Sequence, residues 1–142
     1  MLSLALAKQL KKAGLDWSPQ LLDIFIIPDR GLDDTPFVLT DVMAYVELFR
    51  GSPMVTFHGT AEWALDYVLQ SEAVWLPSEA QLHELLRDYG ASFTLSTVPA
   101  GYRCALIRGG EQIDFDAADA ADAYGSALLH LLWSRAALPG AN

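Results

Sequence analysis

The chain has 142 residues, 52% of them hydrophobic, and a formal net charge of −9 at pH 7. A chain of this length buries about two thirds of its unfolded surface as one domain. We therefore predict a single compact domain over residues 1–142, with residues 1–75 and 76–137 as possible sub-units. The negative charge argues against nucleic-acid binding, because contacts with phosphates need clustered lysine and arginine.

The sequence also predicts a compartment. No apolar run approaches the roughly 20 residues that a membrane-spanning helix needs, so we expect no membrane segment. The apolar stretch after Met1 is short and precedes Lys8, which is the wrong order for a signal peptide. Cys104 is the single cysteine, which excludes an internal disulfide and is typical of reducing conditions. We therefore expect a cytoplasmic protein.

A first amphipathic helix is predicted at the N-terminus, ending at Gly14. Its opposite side carries Lys8, Lys11 and Lys12, which we interpret as a solvated face, with contact to anionic lipid as the alternative. Its apolar face consists of Leu2, Ala5, Leu6, Leu10 and Ala13.

Short β-rich apolar runs then predict three strands, at residues 24–27, 37–39 and 54–57. Residues 41–50 are ambiguous, because their apolar residues fit helical spacing and also partly alternate; we favour a helix. A further helix is predicted from Thr60 to about Gln70. Each half would then have helices enclosing three strands, which leaves open both a duplication and two half-domains that share one core.

The C-terminal half is the more strongly determined. Ser78 and Gln81 have capping-box spacing at the start of a helix that Gly90 ends. Strands are predicted at residues 92–98, 102–108 and 111–115, and Asp116 is predicted to cap a last, long helix. The order is α-β-β-β-α, and the fold class is α+β with an antiparallel sheet.

Two turns fix the register of these three strands. A two-residue hairpin at Gly109-Gly110 places Arg108 opposite Glu111, and a two- or four-residue loop around Pro99-Ala100 gives a consistent pairing. Both flanking helices should therefore lie on one face of the sheet, because only one face is apolar. That face consists of Phe93, Leu95, Tyr102, Cys104, Leu106, Ile113 and Phe115.

The last helix is apolar almost all round, and a helix that is hydrophobic on every side must be buried on every side. Leu129 and Trp133 point away from the side that suits the sheet. Either the N-terminal half covers them or a second subunit does; we expect the N-terminal half to do so. Leu129 and Trp133 are accordingly the candidate binding residues.

One tetrapeptide, Phe57-His58-Gly59-Thr60, lies at a predicted strand-to-helix junction. It resembles the strand-end histidine site of ADP-ribosyltransferases of the His-Tyr-Glu type. The resemblance implies that His58 contacts a nicotinamide dinucleotide and that Glu111 or Glu62 is the catalytic glutamate. Our interpretation from the residues is that Gly59 relaxes a turn and Thr60 caps a helix.

The order helix-three strands-helix also resembles double-stranded RNA-binding domains. In that family lysines at the start of the second helix meet phosphate, whereas here Asp116, Asp119 and Asp122 occupy the matching positions. The charge therefore contradicts RNA binding, and the helix dipole explains these aspartates.

The remaining polar candidates favour structural roles. Asp29, Asp33 and Asp34 do not match the spacing of a calcium loop, and no two histidines have the spacing of zinc ligands. We expect His83 to be solvated and His130 to be packed against a partner group. Cys104 lies on the apolar strand face and is expected to be a packed thiol. No metal and no cofactor are predicted.

No nucleophile, base and oxyanion donor can be assembled from these residues, so an enzyme is the less favoured class. We predict a small acidic, non-catalytic protein-binding or regulatory factor such as an adaptor, inhibitor or chaperone-like protein. Its partner would be a protein, basic if charge guides the encounter, or a second copy bound through the C-terminal helix. The alternative is an NAD-dependent transferase with His58 in a strand-end dinucleotide site.

Overall fold

A computed structural model describes the backbone of residues 1–40, 44–49, 52–57 and 67–137. Within these residues the strands form three antiparallel sheets of three strands each. The helices are α1 (Leu4–Lys12), α2 (Glu79–Asp88) and α3 (Ala120–Ala137), and the strands are β1 (Ile24–Ile26), β2 (Phe37–Val38), β3 (Ala44–Phe49), β4 (Ser52–Phe57), β5 (Tyr67–Leu69), β6 (Val74–Trp75), β7 (Ser92–Val98), β8 (Gly101–Arg108) and β9 (Glu111–Ala117). The predicted α+β class with antiparallel sheets is confirmed.

The chain divides into two compact units. One comprises residues 1–16 and 77–142, and the other comprises residues 17–76. The N-terminal helix therefore belongs to the same unit as the C-terminal residues. The division into sub-units 1–75 and 76–137 stays a prediction. The single compact domain over residues 1–142 stays a prediction.

The unit of residues 17–76 contains two sheets, ordered β2-β1-β6 and β3-β4-β5. The three strands expected at residues 24–27, 37–39 and 54–57 are present as β1, β2 and β4. Asp23 is buried, and its carboxylate accepts hydrogen bonds of 2.9 Å from the Trp17 indole N–H and the Gln20 amide. The core beside β1 and β2 consists of Phe25, Ile27, Phe37, Leu39 and Ala73, with Trp17 and Leu32 packed against it.

Two helices expected in this unit are not found where the structure describes the chain. Residues 44–49 form β3, which pairs with β4 from Ala44 opposite Phe57 to Phe49 opposite Ser52. The expected helix was wrong there because the alternating pattern matched a partner strand close in sequence. Tyr67–Leu69 is β5 rather than the end of a helix. The beginning of that predicted helix, with residues 58–66, lies outside the described residues.

The other unit has the predicted C-terminal arrangement. Ser78 and Gln81 form the capping box reciprocally, with hydrogen bonds of 2.9 and 3.1 Å. The sheet order is β7-β8-β9. Its register agrees with the sequence-based one, for example Leu95 opposite Cys104 and Arg108 opposite Glu111.

The helices cover one face of this sheet, as predicted. Cys104 and Leu106 on the central strand are fully buried. The His83 ring of α2 packs on Phe93, and the His130 ring of α3 packs on Phe115. The opposite face is mostly exposed at Thr94, Ser96, Gln112 and Asp114.

The start of α3 differs from the prediction. β9 continues to Ala117, so Asp116 is a strand residue and not the cap. Asp119 caps the helix, because its Oδ1 accepts a hydrogen bond of 2.8 Å from the Ala121 amide. The sequence misplaced the cap because aspartates at positions 116 and 119 both satisfy the rule for capping residues.

The N-terminal helix α1, with Ser3 as its cap, packs against α3. The Ser3 amide donates a hydrogen bond of 2.7 Å to Asp122 Oδ1. Further along α3, Gly125 has no side chain, and a Cβ there would lie 2.7 Å from Leu2 Cδ1 and 2.9 Å from Leu6 Cδ2. Glycine at this position therefore permits the close approach of the two helices.

Candidate functional site

Trp133 is the large apolar side chain of α3 that stays in solvent. It is 56% exposed, whereas Leu128, Leu131 and Leu132 are all buried. Exposure of an indole on an otherwise apolar helix is unfavourable for a chain acting alone, because it leaves a large hydrophobic surface in water. Trp133 is therefore the first candidate for contact with another molecule.

Leu129, the other predicted binding residue, is only 5% exposed. It follows Gly125 by one helical turn and so lies on the side of α3 against which α1 packs. The expectation that the N-terminal half buries both side chains is wrong for Trp133, which is exposed, whereas Leu129 is buried. The structure thus places one of the two predicted residues in the core and the other at the surface.

Helical spacing groups Trp133 with Asp122 and Ser126, both of which are partly exposed. We call these three residues the α3 outer face. Along the helix axis the Asp122 carboxylate lies about 16 Å from the indole, at 1.5 Å per residue, and it accepts a hydrogen bond from the Ser3 amide. The indole is therefore the group of this face that offers a π surface to a cationic side chain. Farther round the same helix, the Arg135 guanidinium lies 5.5 Å from the centre of the Tyr89 ring.

An ion-pair network lies on the exposed face of the C-terminal sheet. Arg103 donates to both carboxylate oxygens of Asp116, at 2.7 and 2.9 Å, and its Nε is 3.6 Å from Asp114. The hydrogen bonds from Arg103 lower the pKa of Asp116, and the reciprocal interaction raises the pKa of Arg103. All three side chains are about 40% exposed, so solvent screens the pair and its contribution to stability is modest.

Cys104 is a packed thiol, as expected. Its side chain is fully buried, and burial raises the pKa of the thiol to about 11. Because the thiolate is the nucleophilic form, a thiol with this pKa stays protonated and unreactive at neutral pH. It contributes volume to the core rather than chemistry.

The histidines take packing roles where they are described. His83 was expected to be solvated, and that expectation was wrong: its ring contacts the Phe93 and Tyr124 rings edge-on, with centroids 4.8 and 6.2 Å away. His83 lies beside the apolar stripe of α2, and from there its ring still reaches Phe93 of β7. His130 packs against Phe115 at 5.6 Å, as expected.

The structure describes only some of the residues of the dinucleotide hypothesis. His58, Gly59, Thr60 and Glu62 lie outside the described residues. Glu111, the other candidate glutamate, is exposed at the start of β9 opposite Arg108. The catalytic grouping that the resemblance implied stays a prediction.

A hydrogen bond links Asp29 and Asp33 in the turn after β1. Asp33 Oδ1 accepts a hydrogen bond of 3.0 Å from the Asp29 amide, and Arg30 pairs with Glu72 at 2.8 Å. Asp29 adopts a φ of 66°, as expected for a residue in a tight turn. Across the described ranges, no group of three or more potential metal ligands is found.

Comparisons with known proteins give no relative: no family model, no curated protein and no solved structure matches the chain. In the part of the chain that the structure describes, no helix combines the length and apolar character needed to cross a bilayer. A further surface that the sequence analysis missed is strand β7, which has neither a charged residue nor a proline.

Proposed function

We propose that this protein is a small acidic, non-catalytic binding or regulatory factor, such as an adaptor, inhibitor or chaperone-like protein, and that the α3 outer face contacts its protein partner. The observation that carries the proposal is the 56% exposure of Trp133. Tryptophan is the residue type most enriched among those that dominate binding energy at interfaces.

The charge of the chain supports a basic partner. A net charge of −9 attracts positively charged proteins over a distance of about one Debye length, roughly 8 Å in physiological salt. A partner lysine or arginine that stacks on the indole of Trp133 would gain a cation–π contact, and the overall negative charge of the chain would favour the encounter.

The proposal is tested by affinity capture from an extract of the native host, followed by a binding titration with the purified captured protein. Trp133→Ser removes the indole. Ile107→Thr is the matched control, because Ile107 is 42% exposed on β8 and a threonine keeps the β-branched shape. We expect the wild type and the control to capture the same stoichiometric partner and Trp133→Ser to bind it at least about tenfold more weakly.

Salt dependence is the second measurement. Binding to a basic partner should weaken as salt is raised from about 0.05 M to about 0.5 M, because exposed charges are then screened. A partner bound equally by all three proteins would show that the α3 outer face is not the contact. An increase in melting temperature with NAD that His58→Ala abolishes in a folded protein would contradict the non-catalytic assignment and favour the transferase alternative.

A further inference from the structure

Strand β7 is an edge of the C-terminal sheet. Among the described residues it pairs only with β8, and the pairing runs without a bulge from Ser92 opposite Ile107 to Val98 opposite Gly101. Its sequence, Ser-Phe-Thr-Leu-Ser-Thr-Val, has no charge and no proline. Charged side chains and prolines are the features with which proteins normally prevent an edge strand from pairing with another chain, and β7 has neither.

The hairpin between β8 and β9 determines which backbone groups of β7 face outward. Gly109 and Gly110 have φ values of 56° and 83°, the pattern of a type I′ two-residue turn. In such a turn the flanking residues, Arg108 and Glu111, exchange hydrogen bonds. Alternate residues of β8, counted back from Arg108, therefore bond to β9.

The remaining residues of β8 bond to β7. Among them are Ala105 and Arg103, which lie opposite Thr94 and Ser96. The N–H and C=O groups of Thr94 and Ser96 are therefore satisfied within the sheet, and those of the alternate residues face away from it. The outward-facing residues are Phe93, Leu95 and Thr97.

This outward set is symmetric about Leu95. If a second copy lies antiparallel with the two-fold axis at Leu95, Phe93 faces Thr97 of the other copy and Leu95 faces its own equivalent. All outward groups are then used, in about six hydrogen bonds. On the exposed face, Thr94 and Ser96 of the two copies become cross-strand neighbours, which are uncharged and able to hydrogen bond.

Charge distinguishes β7 from the other edge of the sheet. Self-pairing of β9 would bring together Glu111, Asp114 and Asp116 in a chain whose net charge is already −9. Self-pairing of β7 brings no charges together. Phe93 and Leu95 are also only partly buried, whereas Leu106 on the central strand is fully buried, so pairing at this edge would cover apolar surface that one copy leaves in water.

We propose that β7 is a self-association edge, through which two copies pair antiparallel about Leu95 and join their three-stranded sheets into one sheet of six strands. The interface is separate from the α3 outer face, and the second copy does not replace the basic partner. Because the contact is one pair of strands plus adjoining side chains, its area is at the low end of specific interfaces and the dimer is weak.

The test uses two double variants that change the same positions. In the dimer, residue 94 of each copy faces residue 96 of the other. Thr94→Glu with Ser96→Glu therefore places like charges across the two-fold, while Thr94→Lys with Ser96→Glu places opposite charges there. Within one copy both variants are tolerated, because Glu at position 96 faces Arg103 and position 94 faces Ala105. Circular dichroism and melting curves verify that both fold alike.

Sedimentation equilibrium from about 2 to about 200 µM gives the dimer dissociation constant by mass action. We expect the wild type to dimerise, the Glu/Glu variant to dimerise at least about tenfold more weakly and the Lys/Glu variant to retain the dimer. Raising salt to about 0.5 M should tighten the wild-type dimer, since screening reduces repulsion between two acidic chains. Trp133→Ser should leave the dimer unchanged, which distinguishes this surface from the α3 outer face.

Amide hydrogen exchange provides a residue-level readout. At high protein concentration the amides of Phe93, Leu95 and Thr97 should become protected, whereas those of Thr94 and Ser96 should be protected at every concentration. A wild type that is monomeric at about 200 µM, equal dissociation of both double variants, or a dimer that Trp133→Ser splits would each overturn the proposal.

Discussion

Truncation of Leu106 probes the sheet register most directly. Leu106 is fully buried on the central strand, beneath the helices. Its sequence neighbour Ile107 points to the opposite face and is 42% exposed. The paired variants Leu106→Ala and Ile107→Ala therefore remove similar side chains from adjacent positions on opposite faces of the sheet.

The two substitutions should lower the free energy of unfolding by amounts that differ several-fold. Removal of three methylene equivalents from Leu106 loses about 2.4 kcal/mol of transfer free energy, at roughly 0.8 kcal/mol each. The unfilled cavity adds to this loss, which places the total at about 2–5 kcal/mol. For Ile107 solvent already reaches much of the side chain, and we expect about 1 kcal/mol, mainly from weaker β-propensity.

Guanidinium unfolding at low protein concentration, followed by far-ultraviolet circular dichroism, measures the free energy of unfolding of each variant. The dependence of this free energy on guanidinium concentration should be the same for both variants. Equal losses for the two variants, or a larger loss for Ile107→Ala, would refute the single-face register. A shift of one residue in the pairing of β8 is the physical error that would produce such a result.

Three further predictions follow from the described contacts. Trp133→Ala should lower the free energy of unfolding by about 1–2 kcal/mol, because a little less than half of the indole is covered. A loss of about 3–5 kcal/mol on chemical denaturation, the range for a buried aromatic side chain, would show that the indole is packed. The thiol pKa of Cys104 is raised to about 11, so Cys104 in the native protein should react with a thiol reagent at pH 7 only as fast as the unit unfolds locally. The reaction rate of the denatured protein is the reference, and an equally fast reaction of the native protein would contradict the burial of Cys104. Asp116→Asn should lower the melting temperature at neutral pH, and the gap from wild type should narrow as pH falls. The reason is that Arg103 lowers the folded-state pKa of Asp116, so the stabilisation is present above the unfolded pKa and is lost as pH falls through the folded one; a gap independent of pH in a melting series would contradict this.

The sequence determined α2 and the register of the sheet β7-β8-β9, because the signals for both are local. The capping box at Ser78 fixes where α2 begins, and the two glycines at 109 and 110 fix the hairpin. Once both turns are placed, strict alternation leaves only one register that buries Leu106 and its neighbours. Fully local rules also placed α1, β1, β2 and β4.

Tertiary structure alone decided the features that depend on a choice between two valid local patterns. Residues 44–49 fit both a helix and a strand, and β4 as a hydrogen-bonding partner selected the strand. Asp116 and Asp119 both suit a cap, and the extension of β9 to pair with β8 selected Asp119. Similarly, His83 lies beside the apolar stripe of α2, and only its contacts with Phe93 of β7 and Tyr124 of α3 make it a packing residue.

The candidate site shows the same division. The sequence identified Leu129 and Trp133 as the residues for which the sheet offers no cover, since helical periodicity gives their direction. It gave no means to decide what covers each one, because that depends on how elements far apart in the chain pack together. The N-terminal helix α1 approaches α3 at Gly125 and packs on the side where Leu129 lies, while Trp133 is left exposed. The side of a helix on which a side chain lies is a local property. Its burial is decided by contacts between residues that can be more than a hundred positions apart, such as Leu2 and Gly125.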